Sequence, residues 1–102
     1  MYEPLDGPSI QGKISSIGTG TVVEAKVGPS RFNDRKVVTI QPSSNIYIYF
    51  GDGTTTPNAA TVIAGGMIVY KNAKETYEAG DRQPIFMLAV AGTANVVVVE
   101  RA

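Results

Sequence analysis

The chain has 102 residues, the length of one domain with a single core. Nine Lys and Arg residues balance nine Asp and Glu residues, so there is no basic excess of the kind that attracts nucleic acid. The sequence contains no Cys and no His, which excludes disulfides and thiolate metal sites and removes the commonest general base and metal ligand.

The residue types that remain form no catalytic constellation in the sequence, so we predict that the protein is not an enzyme and carries no cofactor or metal. No segment approaches the ~18 apolar residues of a membrane span, and the first residues lack the basic and apolar regions of a signal peptide. We therefore expect synthesis in the cytoplasm and no membrane contact.

Residues 1–10 contain Pro4, Gly7 and Pro8 and show no apolar period. Such a stretch is typical of an extended arm rather than of a core element. We therefore divide the chain into an N-terminal arm, residues 1–10, and a β-sandwich domain, residues 11–102.

Gly and Pro residues divide the rest of the chain into short segments, a pattern typical of an all-β sandwich or barrel. Residues 21–27, 37–41 and 67–71 alternate in the manner of strands, the first two with one face more apolar than the other. We predict a single antiparallel sandwich or jelly-roll-like barrel of about seven strands. The best helix candidate is residues 71–80, but its low apolar content favours a loop.

The strand predicted at residues 46–50, IYIYF, carries Ile46, Ile48 and Phe50 on one face and Tyr47 and Tyr49 on the other. Tyrosine is enriched at protein interfaces, and its ring also suits stacking on sugars. Three interpretations stay open: two half-exposed tyrosines that only favour strand geometry, a protein interface, or a carbohydrate site.

The loop GDGTTTPN, residues 51–58, looks at first like a calcium or phosphate loop. Asp52 is its only carboxylate, and the loop lacks the lysine and helix start of a phosphate-binding loop. We interpret it as a polar connection whose Asp-Gly step supplies a residue with positive φ.

Two further groups of charged residues are interpreted as solvated surface. Glu75, Glu78 and Asp81 lie close together in the sequence with Lys74 beside them, which is more typical of a charged turn than of a catalytic carboxylate pair. Residues 31–36 combine basic residues with one aspartate and no run of like charge. We predict a solvated loop there rather than a phosphate site.

Residues 84–90, PIFMLAV, and 96–99, VVVV, are apolar on both faces. The outer face of each strand must then be covered by the arm, by a long loop or by another subunit. We prefer another subunit, with coverage by residues 1–20 as the alternative. The intervening residues 91–95 have a length suited to a hairpin, so the two strands are predicted to be antiparallel neighbours.

In residues 36–100 the sequence VVTIQPSSNIYIYFGDG is followed by a polar TTTPN loop, by AATVIAGGMIVY and by YEAGDRQPIFMLAVAGTANVVVVE. This order resembles that of the small β-structured virion proteins of tailed bacteriophages. In those proteins a VTI strand, an aromatic I-Y-I strand, a polar loop, an A-G-G or A-G-E turn and a P-I-x-x-x-A strand precede a terminal V-x-V-x-E strand. The resemblance covers about two thirds of the chain.

The resemblance implies a virion structural protein made in the host cytoplasm: first a capsid decoration or cement protein, otherwise a tail-associated component. Its partners would be the major capsid protein or other virion proteins, together with further copies of itself. We predict interface residues in the arm, Tyr2, Leu5 and Ile10, and in the sheet, Tyr47 and Tyr49. The alternative function is a carbohydrate-binding or fibre-associated β-sandwich that contacts host glycans.

Overall fold

Residues 8–102 are described by a computed structural model, and they form two packed antiparallel sheets. The elements in chain order are β1 (Ser9–Ile17), β2 (Val23–Glu24), β3 (Val37–Pro42), β4 (Ile46–Phe50), α1 (Ala59–Gly65), β5 (Met67–Val69), β6 (Glu75–Glu78), β7 (Ile85–Ala89) and β8 (Ala94–Arg101). This architecture confirms the all-β, jelly-roll-like sandwich, with eight strands in the described residues instead of about seven.

The strand order is β1-β8-β3-β6 in one sheet, sheet A, and β2-β7-β4-β5 in the other, sheet B. β7 and β8 therefore lie in different sheets, and the predicted hairpin between them is wrong. Each of these strands already has a neighbour on both sides, so the connection between them crosses from one sheet to the other. Gly92 in this connection has φ +61°, a conformation that glycine adopts without steric cost.

The core lies between the sheets and is formed by side chains that alternate onto the inner face of each strand. Its fully buried aliphatic members include Val38, Ile40, Val96 and Val98 from sheet A and Ile46, Ile48, Ile85 and Met87 from sheet B. Most of these residues are β-branched and suit the pleated backbone. Burial of their apolar surface holds the two sheets together.

Residues 71–80, the best helix candidate of the sequence, instead form a turn followed by β6. Asn72 has φ +63° in the turn, and β6 then pairs with β3. The hydroxyl groups of Thr39 and Thr76 lie 3.0 Å apart across this pair. The helix within residues 8–102 is α1, which the sequence analysis did not predict. Its N-cap is Asn58, whose side chain accepts the Thr61 N–H.

β1 begins before the boundary that the sequence analysis gave to the arm. Ser9 and Ile10 pair with Arg101 and Glu100 of β8, so the last two residues assigned to the arm lie in a strand. The predicted interface residues Tyr2 and Leu5 lie outside the described residues.

β7 is buried along its whole length, as its two apolar faces predicted. Phe86 and Leu88 lie on the side of β7 that faces away from the core between the sheets. Helix α1 contacts β7 and the neighbouring strand β4. Val62 of α1 is fully buried. The cover of β7 is therefore a helix of the same chain, and the preferred interpretation, cover by another subunit, is wrong for this strand.

β8 is covered less completely than β7. Val97 and Val99 are half-buried on the outer face of sheet A. Val97 lies between Lys13 and Gln41 on the flanking strands, and Val99 lies beside Gln11. The stems of such long side chains shield part of this face, and its cover by another subunit stays a prediction.

Candidate binding surfaces

Tyr47 and Tyr49 lie on the outer face of sheet B, as the alternation predicted, and both are half-buried. Tyr47 is flanked by Ile68 of β5 and Leu88 of β7. α1 contacts β4, and its Gly65 lies so close to Tyr49 that an added Cβ would be 3.2 Å from the Cε2 atom of the ring. Tyr49 therefore lies beside α1 and Tyr47 between β5 and β7, and part of each side chain stays exposed.

Tyr49 also borders an open cleft of about 400 Å³ between the end of β4, the loop of residues 51–58 and the start of α1. The polar side chains that line the cleft are Asp52, Thr55, Thr56, Asn58 and Thr61. An aromatic ring beside hydroxyl, carboxyl and amide groups is a composition suited to a small polar ligand.

The loop beside this cleft is held in shape by Asp52. Its Oδ1 atom accepts the N–H of Thr54 at 2.8 Å, the Thr54 hydroxyl at 3.0 Å and the N–H of Thr55 at 3.1 Å. These bonds, that of the Thr54 N–H first, hold the pKa of Asp52 below its ordinary value. Gly53 has φ +86°, which confirms the prediction from the Asp-Gly step.

A patch of exposed apolar side chains lies along the edge of sheet B. Six large apolar side chains are exposed in residues 8–102, and four of them fall within residues 63–70. These four, which we call the β5 patch, are Ile63 of α1, Met67 and Ile68 of β5, and Tyr70, which directly follows β5. Tyr70 is 64% exposed and Met67 51%. Ile68 lies on the outer face with its partner Tyr47, whereas Met67 lies on the face of its partner Ile48, so the patch covers both faces of the edge strand β5. Apolar exposure concentrated at one edge strand is typical of an interaction surface, whereas single exposed apolar residues are ordinary.

A buried ion pair lies where the sequence analysis expected a solvated loop. The Nη1 atom of Arg35 is 2.8 Å from Oε1 of Glu100, and both side chains are almost completely inaccessible. Arg35 also donates to the carbonyl groups of Ala79, Gly80 and Gln83. The interpretation of residues 31–36 as a solvated loop is therefore wrong at Arg35, because its guanidinium is enclosed by hydrogen-bond acceptors.

Glu100 completes this buried group. Its two carboxylate oxygens accept the backbone N–H groups of Val27 and Phe32 in addition to Arg35. The sequence contains one signal of this role, because Glu100 continues the series Val96 and Val98 on the inner face of β8. A charged residue at an inner-face position requires a partner.

The three carboxylates near residues 75–81 do not converge on a site. Glu75 and Glu78 are three positions apart on β6, so they point to opposite faces of the sheet. Asp81 accepts the Asp34 N–H at 3.0 Å. Residues 8–102 hold no cluster of three potential metal ligands. Within the same range, no helix is long and apolar enough to cross a membrane.

The predicted interface residues that the structure describes fall in two places. Tyr47 and Tyr49 share the outer face of sheet B, whereas Ile10 lies on β1 at one edge of sheet A, where it is 37% exposed. The β5 patch was not predicted from the sequence. The sequence feature that could have indicated this patch is the absence of any charged residue in residues 59–70.

No protein-family model matches this chain, and no curated protein matches it. Similar solved structures include two of the coat protein of Tobacco streak virus. The first, described as the coat protein dimer, has a TM-score of 0.41 and 11% identity, covering 99% of this chain and 90% of the other. The second has a TM-score of 0.44 and 12% identity, covering 100% and 90%. Values this low establish no common family.

Proposed function

We propose that this protein is a structural component of a virion, most specifically a decoration or cement protein of a bacteriophage capsid. It acts by association and catalyses no reaction. The observation that carries the proposal is the β5 patch, a set of four exposed apolar side chains on one edge of the sandwich. Burial of this surface against a capsid subunit would make separation of the joined subunits more costly.

The composition of the segment around the patch supports association with a protein. Residues 59–70 contain no charged side chain, although most of them are exposed. The centres of protein interfaces are depleted in charge and enriched in Met and aromatic residues, both of which the patch contains. Binding through this segment would therefore remove no charged side chain of residues 59–70 from water.

The assignment to a virion is supported by the sequence resemblance of residues 36–100 to small phage virion proteins. Those proteins are structural, and no catalytic residue carries over from them to this chain. We propose the major capsid protein as the partner and the virion as the location.

Capsids stripped of accessory proteins provide the test. We expect the full-length protein to sediment with them and Ile68→Lys to bind at least tenfold more weakly, because a charge on the patch must be desolvated. Thr93→Lys adds the same charge to an exposed loop outside the patch and should bind like the wild type. Wild-type protein that fails to sediment with any capsid, or Ile68→Lys that binds normally, would contradict the proposal.

The second candidate function is saccharide binding, and the position of Tyr49 in a polar cleft favours it. Sugar rings stack on aromatic side chains, while hydroxyl and carboxyl groups bind their hydroxyls. Titration with glucose, galactose and N-acetylglucosamine would then change tyrosine fluorescence. Tyr49→Ala should abolish the change, and Tyr70→Ala, which alters a tyrosine outside the cleft, should leave it intact. A spectrum that no sugar alters would rule out this candidate for the three sugars.

A further inference from the structure

β1 has an open side that the rest of the described chain leaves unpaired. It is the outermost strand of sheet A, and its partner in the sheet is β8. The Ala102 N–H donates to the Pro8 carbonyl at 3.1 Å, so even-numbered positions of this strand direct their backbone groups towards β8. In an antiparallel ladder the intervening residues point the other way. The N–H and C=O groups of Ser9, Gln11 and Lys13 therefore face the open side.

We propose that the open side of β1 pairs antiparallel with β1 of a second copy of this chain, with the two Gln11 residues opposite each other. Sheet A of one copy then continues into sheet A of the other. In the structural role proposed above, which this inference deepens, the interface would join one copy of the protein to another. Its test uses no capsids, so the two proposals can fail separately.

Backbone geometry and charge select this register. With Gln11 on the two-fold axis, Ser9 lies opposite Lys13 of the second copy, and the three pairs exchange about six backbone hydrogen bonds. A register centred on Lys13 would place two lysines opposite each other, which is destabilising. Registers centred on Gly12 or further along would use Ser15 or Ser16, which lie in the irregular part of the ladder with β8, where Ser16 has φ +58°. In the register centred on Gln11, the regular residues 9–13 of one copy therefore pair with the same residues of the second copy.

The side chains on the inner face are compatible with the same register. Ile10, which is one of the exposed large apolar residues, then lies opposite Gly12 of the second copy. Gly12 presents no side chain, and an added Cβ there would lie 2.8 Å from Cγ1 of Val27. Across this pair Ile10 therefore faces a residue without a side chain, and the apolar Val27 lies next to it.

The β1 edge is separate from the β5 patch. β1 and β5 are the terminal strands of different sheets. Gly12 of β1 lies against Val27, close to the β2 end of sheet B, whereas Phe50 of β4 contacts Tyr77 of β6 at the other end of sheet A. A single copy can therefore contact a second copy through β1 and a capsid subunit through the β5 patch.

The first test is the solution mass of the full-length protein over a concentration series by sedimentation equilibrium. We expect a reversible dimer whose dissociation constant rises at least tenfold in Gln11→Pro. Proline removes the outward N–H of this position and no bond to β8. Gln11→Thr keeps the N–H and should dimerise like the wild type. A wild-type protein that is monomeric up to its solubility limit would overturn the proposal.

The second test probes the register and does not depend on proline. Ser9→Glu places a carboxylate opposite Lys13 of the second copy at both ends of the pair and should tighten the dimer about 3- to 10-fold. Ser9→Glu combined with Lys13→Glu places like charges opposite each other and should weaken it by a similar factor. Equal dissociation constants for these two variants would contradict the proposed register.

Discussion

Arg35 and Glu100 join distant parts of the chain through a buried ion pair. Arg35 binds carbonyl groups of residues 79–83, and Glu100 binds N–H groups of residues 27 and 32. The loops before β3 and before β7 are therefore fixed to the end of β8. No buried side-chain N or O atom of the described residues lacks a hydrogen-bond partner. The pair thus fixes the positions of loops whose own apolar content is small.

Removal of Arg35 from this buried ion pair should be far more costly than removal of an arginine from a partly exposed ion pair. Arg35→Ala leaves the Glu100 carboxylate buried without a counter-charge and should lower the free energy of unfolding by about 3–5 kcal/mol. The control is Arg31→Ala, which breaks the partly exposed pair with Glu24 and a hydrogen bond to the Asp81 carbonyl and should cost about 2 kcal/mol or less. Urea unfolding of both variants measures the difference, and equal losses would contradict this role.

Asp52 makes the loop of residues 51–58 sensitive to acid. Its pKa is lower in the folded loop than its ordinary value, because the N–H of Thr54 and then that of Thr55 bind the carboxylate. A carboxyl group of this kind contributes stability above its unfolded pKa, and the contribution is lost as the pH falls through its folded pKa.

We therefore expect the amide resonances of Thr54 and Thr55 to shift as the pH is lowered through the folded pKa of Asp52, while the β-sheet resonances stay in place. Asp52→Asn keeps an acceptor oxygen but does not titrate, so its spectrum should not show this step. An NMR titration in which the two spectra change alike would show that Asp52 does not control the loop.

At the scale of elements, strand patterns were predictable and long-range pairings were not. The alternation of residues 46–50 predicted the two faces of β4, and the continuous apolar run of residues 84–90 predicted a strand covered on both sides. The hairpin between β7 and β8 was wrong, because a short loop also allows the chain to cross between sheets. Local sequence does not distinguish these two paths.

α1 shows why the cover of β7 was missed. Residues 59–65, AATVIAG, include Val and Ile, which favour strands, and the segment is only seven residues long. It becomes helical because Asn58 caps its first turn and because Val62 is buried against sheet B. The second reason depends on tertiary contacts, which a reading of local propensity does not include.

α1 should depend on Val62 for its position on the sheet. Val62→Ala removes two fully buried methyl groups and should cost about 1–3 kcal/mol of stability. Ile63→Ala truncates the next residue of the same helix, which is about half exposed, and should cost less than about 1 kcal/mol. Thermal unfolding compares the two, and a larger effect of Ile63→Ala would mean that the helix is attached differently.

At the scale of the whole molecule, the sandwich presents a different kind of surface at each of two edges. β1 offers unpaired backbone groups with few exposed apolar side chains, whereas the β5 patch offers apolar side chains on and beside a strand of three residues. The first suits pairing with an identical strand, and the second suits docking into a groove of another protein.

The temperature at which stripped capsids release their contents tests most directly whether the protein stabilises a capsid by association. We expect added wild-type protein to raise this temperature and Ile68→Lys at the same concentration not to raise it. If the wild-type protein leaves the release temperature unchanged while bound to the capsids, the cement function is contradicted.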